Sequence, residues 1–468
     1  MDALTHAYRD HPKTALFTAA AALRVLLACA FPGLPDVLTA RVELSTPVNS
    51  FKRLQEGVFL YERGLDPYDG GLFHQAPLFL PLFALLPAPS TRVGQLASIL
   101  LYTALDLLVA DCLHRIAASG AAHTSRLFVS PRQPRAWHPL SVAAVYLFNP
   151  FTLLTCLARP TTVFTTLFTA LSVSHACQAR MVTAAFALAM ASYISLHPLL
   201  LLPPIGLLCY DRLCLRAANE DEAANTAHNG KAEDAPPTTK LATDQRTHPK
   251  PLSYALHLLL TFTTTLALLL LLSTTLLPPS SPPFAFTTSL YLTPLTLPDL
   301  TPNPGLWWYF FIEIFAPFRA FFLGVFCLHM LSYSIPLSLR FRAQPLAAVV
   351  LMMGVVAVFE PYASIGAAGA WLSFSSTHRQ TFPALSALLY TTLLAPAFHH
   401  LWLAAGSGNA NFFYAITLAW SLALLVLLTD TVYAVLRDEW EAERTGGRDG
   451  GGGGVRGEEV RGRDVRQI

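Results

Sequence analysis

Residues 298–315 read PDLTPNPGLWWYFFIEIF, a proline-rich segment that passes directly into an aromatic, apolar one. The prolines exclude a helix from the first part, because proline lacks a backbone N–H and restricts the residue before it. From Gly305 onward the composition is typical of the head of a membrane helix, and the paired tryptophans are typical of a membrane–water interface. We therefore predict a loop that meets the bilayer here and continues as a membrane helix over about 307–336.

An acidic residue, Glu313, lies within this predicted helix, four positions after Tyr309 and so on the same face. An ionised carboxylate inside a bilayer is costly unless a partner or a ligand compensates its charge. Two interpretations stay open at this point. The segment is either an aromatic belt with a snorkelling or protonated glutamate, or a functional rim with a carboxylate beneath it.

The composition of the whole chain is that of a membrane protein. Of its 468 residues, 53% are hydrophobic and only 13% are charged, with a mean hydropathy of +0.45. Soluble domains carry about a quarter charged residues. The fold class predicted from these values is an all-α polytopic membrane protein.

Apolar runs of membrane-crossing length recur along the chain and predict about twelve transmembrane helices in one domain, 1–436. The predicted spans are 14–31, 94–117, 138–156, 161–178, 181–197, 199–213, 253–277, 307–336, 344–359, 362–376, 383–399 and 412–436. A further apolar piece, 78–86, is better interpreted as a re-entrant or interfacial helix.

Positive charges assign the two sides of the membrane. Most arginines between the predicted spans fall on one side, at Arg126, Arg132, Arg135, Arg180, Arg212, Arg216, Arg340, Arg342, Arg379 and Arg437. By the positive-inside rule this side is cytosolic. Both termini are then predicted to be cytosolic, and the loops 36–75 and 278–306 to be luminal.

Two polar segments are predicted to be disordered. Residues 217–250 are rich in Ala, Thr, Asp and Glu and almost free of large apolar side chains, which indicates a cytosolic insert without a core of its own. Residues 437–468 are charged and rich in glycine, which indicates a cytosolic tail.

Charged residues also occur inside the predicted spans. Asp111 lies four residues before Arg115, a spacing that predicts an ion pair within one helix. Arg24 and Arg319 lie in apolar runs and should face the protein interior. Six residues separate Arg319 from Glu313, which places the two on different faces of one predicted helix.

A second segment repeats the pattern of the first. Residues 406–415 read GSGNANFFYA, a small, polar, flexible loop that runs into an aromatic helix head. Two amide-bearing loops above aromatic interfaces suit the head group of a lipid whose tails lie between helices. The alternative is that Asn411 simply caps the following helix.

No catalytic group stands out in the sequence. We find no nucleophile with its base, no convincing pair of carboxylates and no cluster of metal ligands, and the seven cysteines lie mostly in apolar runs. No glycine-rich phosphate-binding loop is present, and nothing indicates a nucleic-acid partner. The sequence therefore predicts no metal and no cofactor.

Several motifs together resemble the PIG-U family of subunits of the glycosylphosphatidylinositol (GPI) transamidase. They follow the family order from about residue 46 to about residue 440. The motifs are 51–57 (FKRLQEG), 66–68 (DPY), 73–78 (FHQAPL), 148–152 (FNPFT), 298–315, 332–337 (SYSIPL), 406–418 (GSGNANFFYAITL) and 430–437 (DTVYAVLR). The chain departs from the family chiefly in the insert 217–250 and the glycine-rich tail.

The resemblance implies a multi-pass subunit of an endoplasmic-reticulum complex. That complex removes a C-terminal hydrophobic signal and joins the new carboxyl end to the ethanolamine of a GPI lipid. The family resemblance puts the cysteine nucleophile on another, protease-like subunit, so this chain is expected to be non-catalytic and to bind and present the GPI lipid. The implied partners are the catalytic subunit, the accessory membrane subunits and the lipid, and contact with the hydrophobic attachment signal stays open.

The family is also similar to polytopic (GT-C type) glycosyltransferases that use dolichol-phosphate sugars. Their catalytic acid lies in the first luminal loop, where Asp36 and Glu43 are the candidates here. A luminal glycosyltransferase is therefore one alternative, and a purely architectural subunit is another. A transporter is a third, although no inverted repeat supports it.

The expected lipid-binding rim combines residues of both loops. Two cationic residues could neutralise a phosphate or hold the acidic loop of a partner subunit, and the sequence leaves both roles open. The rim candidates are Asn409, Asn411, Tyr414, Asn303, Trp308 and Tyr309, with Asp299 and Glu313 shaping the rim and Lys52 and Arg53 as the cations.

Overall fold

The computed structural model describes residues 11–229, 250–375 and 382–449, and the regular secondary structure of the described residues is helical. Within them, β-structure is limited to an isolated bridge between Thr124 and Val129. The first half contains α1 (Pro12–Ala30), α2 (Leu34–Thr39), α3 (Phe51–Glu62), α4 (Phe79–Ala84), α5 (Arg92–Ala118), α6 (Pro139–Phe148), α7 (Pro150–Ala158), α8 (Thr162–Cys177), α9 (Met181–Ile194) and α10 (Leu202–Asn229).

The second half is also helical. It contains α11 (Pro251–Leu276), α12 (Trp307–Glu313), α13 (Ala316–Ser332), α14 (Ser334–Arg340), α15 (Pro345–Phe359), α16 (Ile365–Phe374), α17 (Phe382–Leu403) and α18 (Ala410–Asp449). Short helical turns lie between α11 and α12, over Ala285–Thr287, Thr288–Leu292 and Thr293–Thr296. The predicted luminal loop 278–306 is therefore partly helical, and 36–75 contains the end of α2 and all of α3.

Within the described ranges, seven helical segments are long and apolar enough to cross a membrane. They are Pro12–Ala30, Arg92–Ala118, His197–Asp221, Pro251–Leu276, Ala316–Arg340, Phe382–Leu403 and Ala410–Arg444, and the bent pair α6 and α7 makes an eighth if it is one span. The chain is thus a polytopic membrane protein. The helices α8, α9, α15 and α16 are shorter than the roughly 20 residues of a full span, so the number twelve stays a prediction.

Two predicted spans are broken, and a proline explains each break. The predicted helix 307–336 is wrong as a single helix, since Ile314 and Phe315 are extended between α12 and α13. A continuous helix would place the ring of Pro317 against the carbonyl of Glu313 and lose that hydrogen bond. The predicted span 138–156 bends by 55° between α6 and α7, at Pro150.

Both polar segments begin later than predicted. Helix α10 continues to Asn229, so residues 217–229 are helical, and α18 continues to Asp449, so 437–449 are helical. The predicted starts at 217 and 437 are therefore too early, because Ala- and Glu-rich sequence has high helix propensity even without an apolar face. Residues 230–249 and 450–468 lie outside the described residues, as do Arg379 and the side chain of Arg135.

The interior holds a buried ion pair. The guanidinium of Arg24 lies 2.9 Å from the carboxylate of Asp106, and the hydroxyl of Tyr146 donates to the same carboxylate over 2.9 Å. The predicted interior position of Arg24 is confirmed. The predicted pair of Asp111 with Arg115 is also confirmed, and Lys13 joins it from α1 at 2.5 Å.

The apolar piece 78–86 contains α4, a helix of six residues. At about 1.5 Å per residue it cannot cross a bilayer. Its side chains Phe79, Leu80 and Phe83 are buried. The piece therefore packs within the protein next to α3, where the ring of Phe73 lies so close to Gly57 that a Cβ there would meet it at 2.6 Å.

Candidate functional site

The two aromatic helix heads meet in space. The hydroxyl of Tyr309 donates a hydrogen bond to Oδ1 of Asn411, and the rings of Tyr309 and Tyr414 stack with their centroids 4.3 Å apart. The ring of Trp308 lies 5.9 Å from that of Tyr414 and 5.9 Å from that of Trp402. We call this group the aromatic rim; it consists of Trp308, Tyr309, Trp402, Phe413 and Tyr414, with Asn411 at its edge.

The amides of the second loop have different tasks. Oδ1 of Asn409 accepts the backbone N–H of Asn411 over 3.0 Å, at the start of α18. An asparagine does cap α18, as one of the two interpretations predicts, but the capping residue is Asn409 and not Asn411. The amide of Asn411 is exposed, and its Nδ2 has no partner among the described residues. This N–H₂ group can donate to a polar group outside the chain.

The paired tryptophans, predicted to lie at a membrane interface, are covered by protein, since Trp307 and Trp308 are each only 1% exposed. The indole N–H of Trp307 donates to the carbonyl of Phe359 over 2.8 Å. The indole nitrogen of Trp308 is also buried but has no partner in the described part of the chain. A buried donor without a partner costs about 1–3 kcal/mol, so this N–H is an unsatisfied polar group beneath the rim.

Asn303, another predicted rim residue, is committed to its own loop. Its Oδ1 accepts the N–H of Gly305 over 2.8 Å, and its Nδ2 donates to the carbonyl of Thr301 over 3.2 Å. The side chain is 1% exposed. The predicted role of Asn303 as a ligand contact is therefore corrected to a structural role, since both of its polar atoms are already bonded and it is buried.

Asp299 and Arg53 form an ion pair of 2.7 Å between the predicted luminal loops. Burial raises the pKa of Asp299, but hydrogen bonds from Thr301 and Arg53 outweigh burial and hold that pKa below its usual value. The backbone carbonyl of Asp299 also accepts from the hydroxyl of Tyr362 over 2.9 Å. Of the two predicted cations, Lys52 is exposed and has no ion pair among the described residues, while Arg53 is engaged within the chain.

The predicted rim carboxylate, Glu313, is exposed at the end of α12, and no described contact joins it to the rim. Arg319 faces the interior, as predicted, but has no acidic partner among the described residues. Its guanidinium donates to the carbonyls of Leu297, over 2.6 Å, and Phe311, over 3.2 Å. Arg319 thus ties the beginning of the loop to α12.

Sequence reasoning missed three residues that shape the site: Trp402, Tyr362 and Arg319 in its anchoring role. Trp402 ends α17 just before the second loop, so its position beside a glycine-rich loop is a signal that could have found it. The bond of Tyr362 to Asp299 joins residues 63 positions apart, and no local pattern indicates it.

The two acids considered for a transferase both have arginine partners. Asp36 pairs with Arg159 at 2.8 Å, and Glu43 pairs with Arg41 at 2.9 Å. Across the described residues, no three His, Cys, Asp or Glu side chains are grouped as a metal ion would require.

Comparison with known proteins places the chain in a family. Residues 18–420 match the family described as GPI transamidase subunit PIG-U. The chain belongs to the PIG-U family. Because the matched region includes both loops and α18 up to residue 420, every rim candidate lies inside it. Membership of the PIG-U family agrees with the polytopic helical fold. It also places the chain among proteins of GPI-anchor biosynthesis.

Individual relatives in the PIG-U family cover nearly the whole chain. It is 32% identical over 431 residues to the GPI transamidase component GAB1 of Saccharomyces cerevisiae. The aligned region covers 90% of this chain and 93% of that protein. It is 29% identical over 423 residues to the human GPI-anchor transamidase component PIGU, covering 87% and 90%. The GAB1 homolog of Schizosaccharomyces pombe is 30% identical over 419 residues, covering 87% and 90%.

Proposed function

We propose that this chain is a non-catalytic subunit of the GPI transamidase of the endoplasmic-reticulum membrane, and that it binds and presents the GPI lipid at the aromatic rim. Membership of the PIG-U family supports the assignment to the complex. The observation that carries lipid binding is the meeting of the two loop-to-helix junctions, which sets an exposed amide, Asn411, against stacked aromatic rings.

The chemistry of the rim suits a glycan-phosphate head group. Stacked tyrosines offer flat apolar faces against which sugar rings can pack, and the Nδ2 of Asn411 offers a donor for a hydroxyl or phosphate oxygen. The exposed cation Lys52 is a further candidate for a phosphate or for an acidic loop of a partner subunit. Asp299 and Arg53 support the rim by holding its loop in place.

The lipid tails would lie against the apolar helices below the rim. Large side chains on the outer face of α13 are strongly exposed, such as Phe318 at 56% and Phe321 at 66%. Acyl chains or neighbouring transmembrane helices are the partners that such a face requires in a membrane protein.

Presentation acts by raising effective concentration. Holding the head group near the catalytic subunit converts the attack of the ethanolamine amine into an almost unimolecular step, which is worth several kcal/mol of the barrier. The cysteine nucleophile is assigned to that other subunit. We also propose the finer topology: about twelve spans in a GT-C-like bundle, with both termini in the cytosol and loops 36–75 and 278–306 in the lumen.

The rival is a purely architectural subunit. It is favoured by Asn303 and Asp299, two predicted ligand contacts whose polar atoms are bonded within the chain. An architectural subunit and a lipid-presenting subunit differ in one respect. Only in the second should the rim amide affect anchoring without affecting assembly.

The test compares Asn411→Ala with Asn409→Ser in cells that lack the native chain. Surface GPI-anchored protein and recovery of the partner subunits by pull-down are both measured. Serine is a good N-cap, so Asn409→Ser keeps the cap of α18 and serves as the matched control. We expect Asn411→Ala to lower anchoring while assembly stays at the control level; a parallel fall of anchoring and assembly would favour the architectural role.

A further inference from the structure

Two neighbouring cavities lie apart from the aromatic rim, the first between residues 196–200 and α13 and the second between α8, α15 and α16. The first is almost wholly apolar, has a volume of about 320 Å³ and includes Leu200, Pro294, Trp307, Leu328 and Leu331 in its wall. This volume is within the range of small-molecule sites, about 300–1,000 Å³. Apart from His197 its wall is apolar, which suits an alkyl chain.

The second cavity, of about 110 Å³, has both polar and apolar side chains in its wall. Its wall includes a row of threonines along α8 together with Ser195, His197 and Glu360. His197 lines both cavities, so the two are neighbours across one side chain. The arrangement places a hydroxyl-rich compartment directly beside an alkyl-sized one.

The hydroxyls of the polar cavity are uncommitted. Oγ1 of Thr162 is buried without a partner, and the side chains of Thr165, Thr166 and Thr169 form no hydrogen bond with other described residues. Threonines in apolar helices ordinarily donate to their own helix, as Thr263 does to the carbonyl of Leu259 over 2.7 Å. A row of free hydroxyls facing a cavity therefore indicates a polar occupant.

The charged side chains around this cavity indicate which charge its polar occupant carries. Glu360 has His197 at 3.8 Å and the backbone N–H of Ser364, but no lysine or arginine lines this described cavity. Burial raises the pKa of Glu360 to about 8, which marks a carboxyl without a compensating cation. An anionic head group would find no counter-charge here, whereas an ammonium group would supply the missing one.

We infer that these two cavities form a binding site for an amphiphile with one alkyl chain and a head group that carries hydroxyls and an amine, such as a long-chain amino alcohol. The alkyl chain lies in the apolar cavity, the amine lies beside Glu360, and the threonine hydroxyls bond the hydroxyls of the head. The site goes beyond the proposed function, since it uses none of the rim residues.

The experiment uses a photoreactive, alkyne-tagged sphingosine added to membranes that contain the intact complex. After irradiation the complex is purified and the labelled peptides are mapped. We expect labelling on the peptide that contains Leu200, a residue of the cavity wall that lies outside α13 and its exposed outer face. Glu360→Gln and the double variant Thr165→Val, Thr166→Val should each lower it by about tenfold, which corresponds to about 1.4 kcal/mol of binding free energy.

Matched controls separate this site from the aromatic rim and from non-specific labelling. Thr263→Val removes a hydroxyl that is bonded within its own helix and should leave labelling unchanged. Asn411→Ala should also leave it unchanged. A photoreactive ceramide, whose amine is acylated, should label this peptide weakly.

Three results would overturn the inference: equal labelling by the ceramide, labelling that neither cavity variant lowers, or loss of labelling in Asn411→Ala. The last result would assign the labelled peptide to the rim. If Glu360→Gln prevents assembly with the partner subunits, the double threonine variant alone tests the inference. Valine has nearly the shape of threonine, so this variant should still assemble.

Discussion

The two loop-to-helix junctions, 298–315 and 406–415, have the same sequence pattern but opposite environments. In the first, Asn303 is buried and bonded twice within its loop. In the second, Asn411 is exposed, and one end of its amide has no described partner. An asparagine before an aromatic run therefore indicates a junction, while burial decides whether the amide holds the fold or faces a ligand.

The largest expected effect is on the first junction. Trp307→Ala removes a buried indole packed against Phe311 and Phe326, together with its hydrogen bond to Phe359. Truncating a buried tryptophan costs about 3–5 kcal/mol. We expect the complex not to assemble, or its thermal midpoint in detergent to fall sharply. An unchanged midpoint would contradict the structural role of this junction.

Next comes Asn303→Ala, which strips two hydrogen bonds from a buried loop. Leaving the N–H of Gly305 and the carbonyl of Thr301 without partners should cost about 2–3 kcal/mol. Thermal unfolding of the purified complex measures the loss, and surface GPI-anchored protein should fall only in step with recovered complex. If anchoring fell while stability held, Asn303 would be a ligand contact after all.

The same substitution at the second junction should behave differently. Asn411→Ala leaves no buried polar group without a partner, so it should lower the thermal midpoint less than Asn303→Ala does. Anchoring should fall by about tenfold in Asn411→Ala if one hydrogen bond to the head group is lost. Tyr309→Phe removes the partner of the same amide and is the companion variant. Similar midpoints and similar anchoring in both alanine variants would erase the contrast between the junctions.

The smallest effect concerns pH. The pKa of Asp299 is lower in the folded chain than the usual value near 3.9, so its contribution to stability is present above that value and is lost as pH falls through the lower folded pKa. The pair with Arg53 is partly exposed, so we expect a loss below about 1 kcal/mol. Thermal midpoints at pH 6 and pH 3 should differ less in Asp299→Asn than in the native chain. Equal differences would show that the pair does not stabilise the loop.

Much of the architecture follows from local chemistry. Hydropathy predicts the membrane helices, and the i, i+4 spacing of Asp111 and Arg115 predicts their ion pair. The prolines between 298 and 304 predict the non-helical loop that ends at Trp307. Pro317 also indicates the helix break after Glu313, because a proline disrupts the helix preceding it. The apolar run around Pro317 nevertheless favoured the prediction of one long helix.

The site was less predictable because its contacts join distant parts of the chain. Arg53 and Asp299 are 246 residues apart, and Tyr309 and Asn411 are 102 apart. Residue type suggested that each of these side chains matters. It could not indicate that Arg53 is neutralised within the chain, nor that Asn409 and not Asn411 caps α18.

The sequence by itself determined the membrane class, the family and the positions of the two aromatic junctions, since hydropathy, proline and motif order are properties of neighbouring residues. Only the tertiary structure decided that the tryptophans are buried, that Asn303 is internal and that Asn411 is exposed. The physical reason is that burial and long-range hydrogen bonds depend on which helices pack together. The same is true of the threonine-lined cavity, whose free hydroxyls become visible only once α8 and α15 are in place.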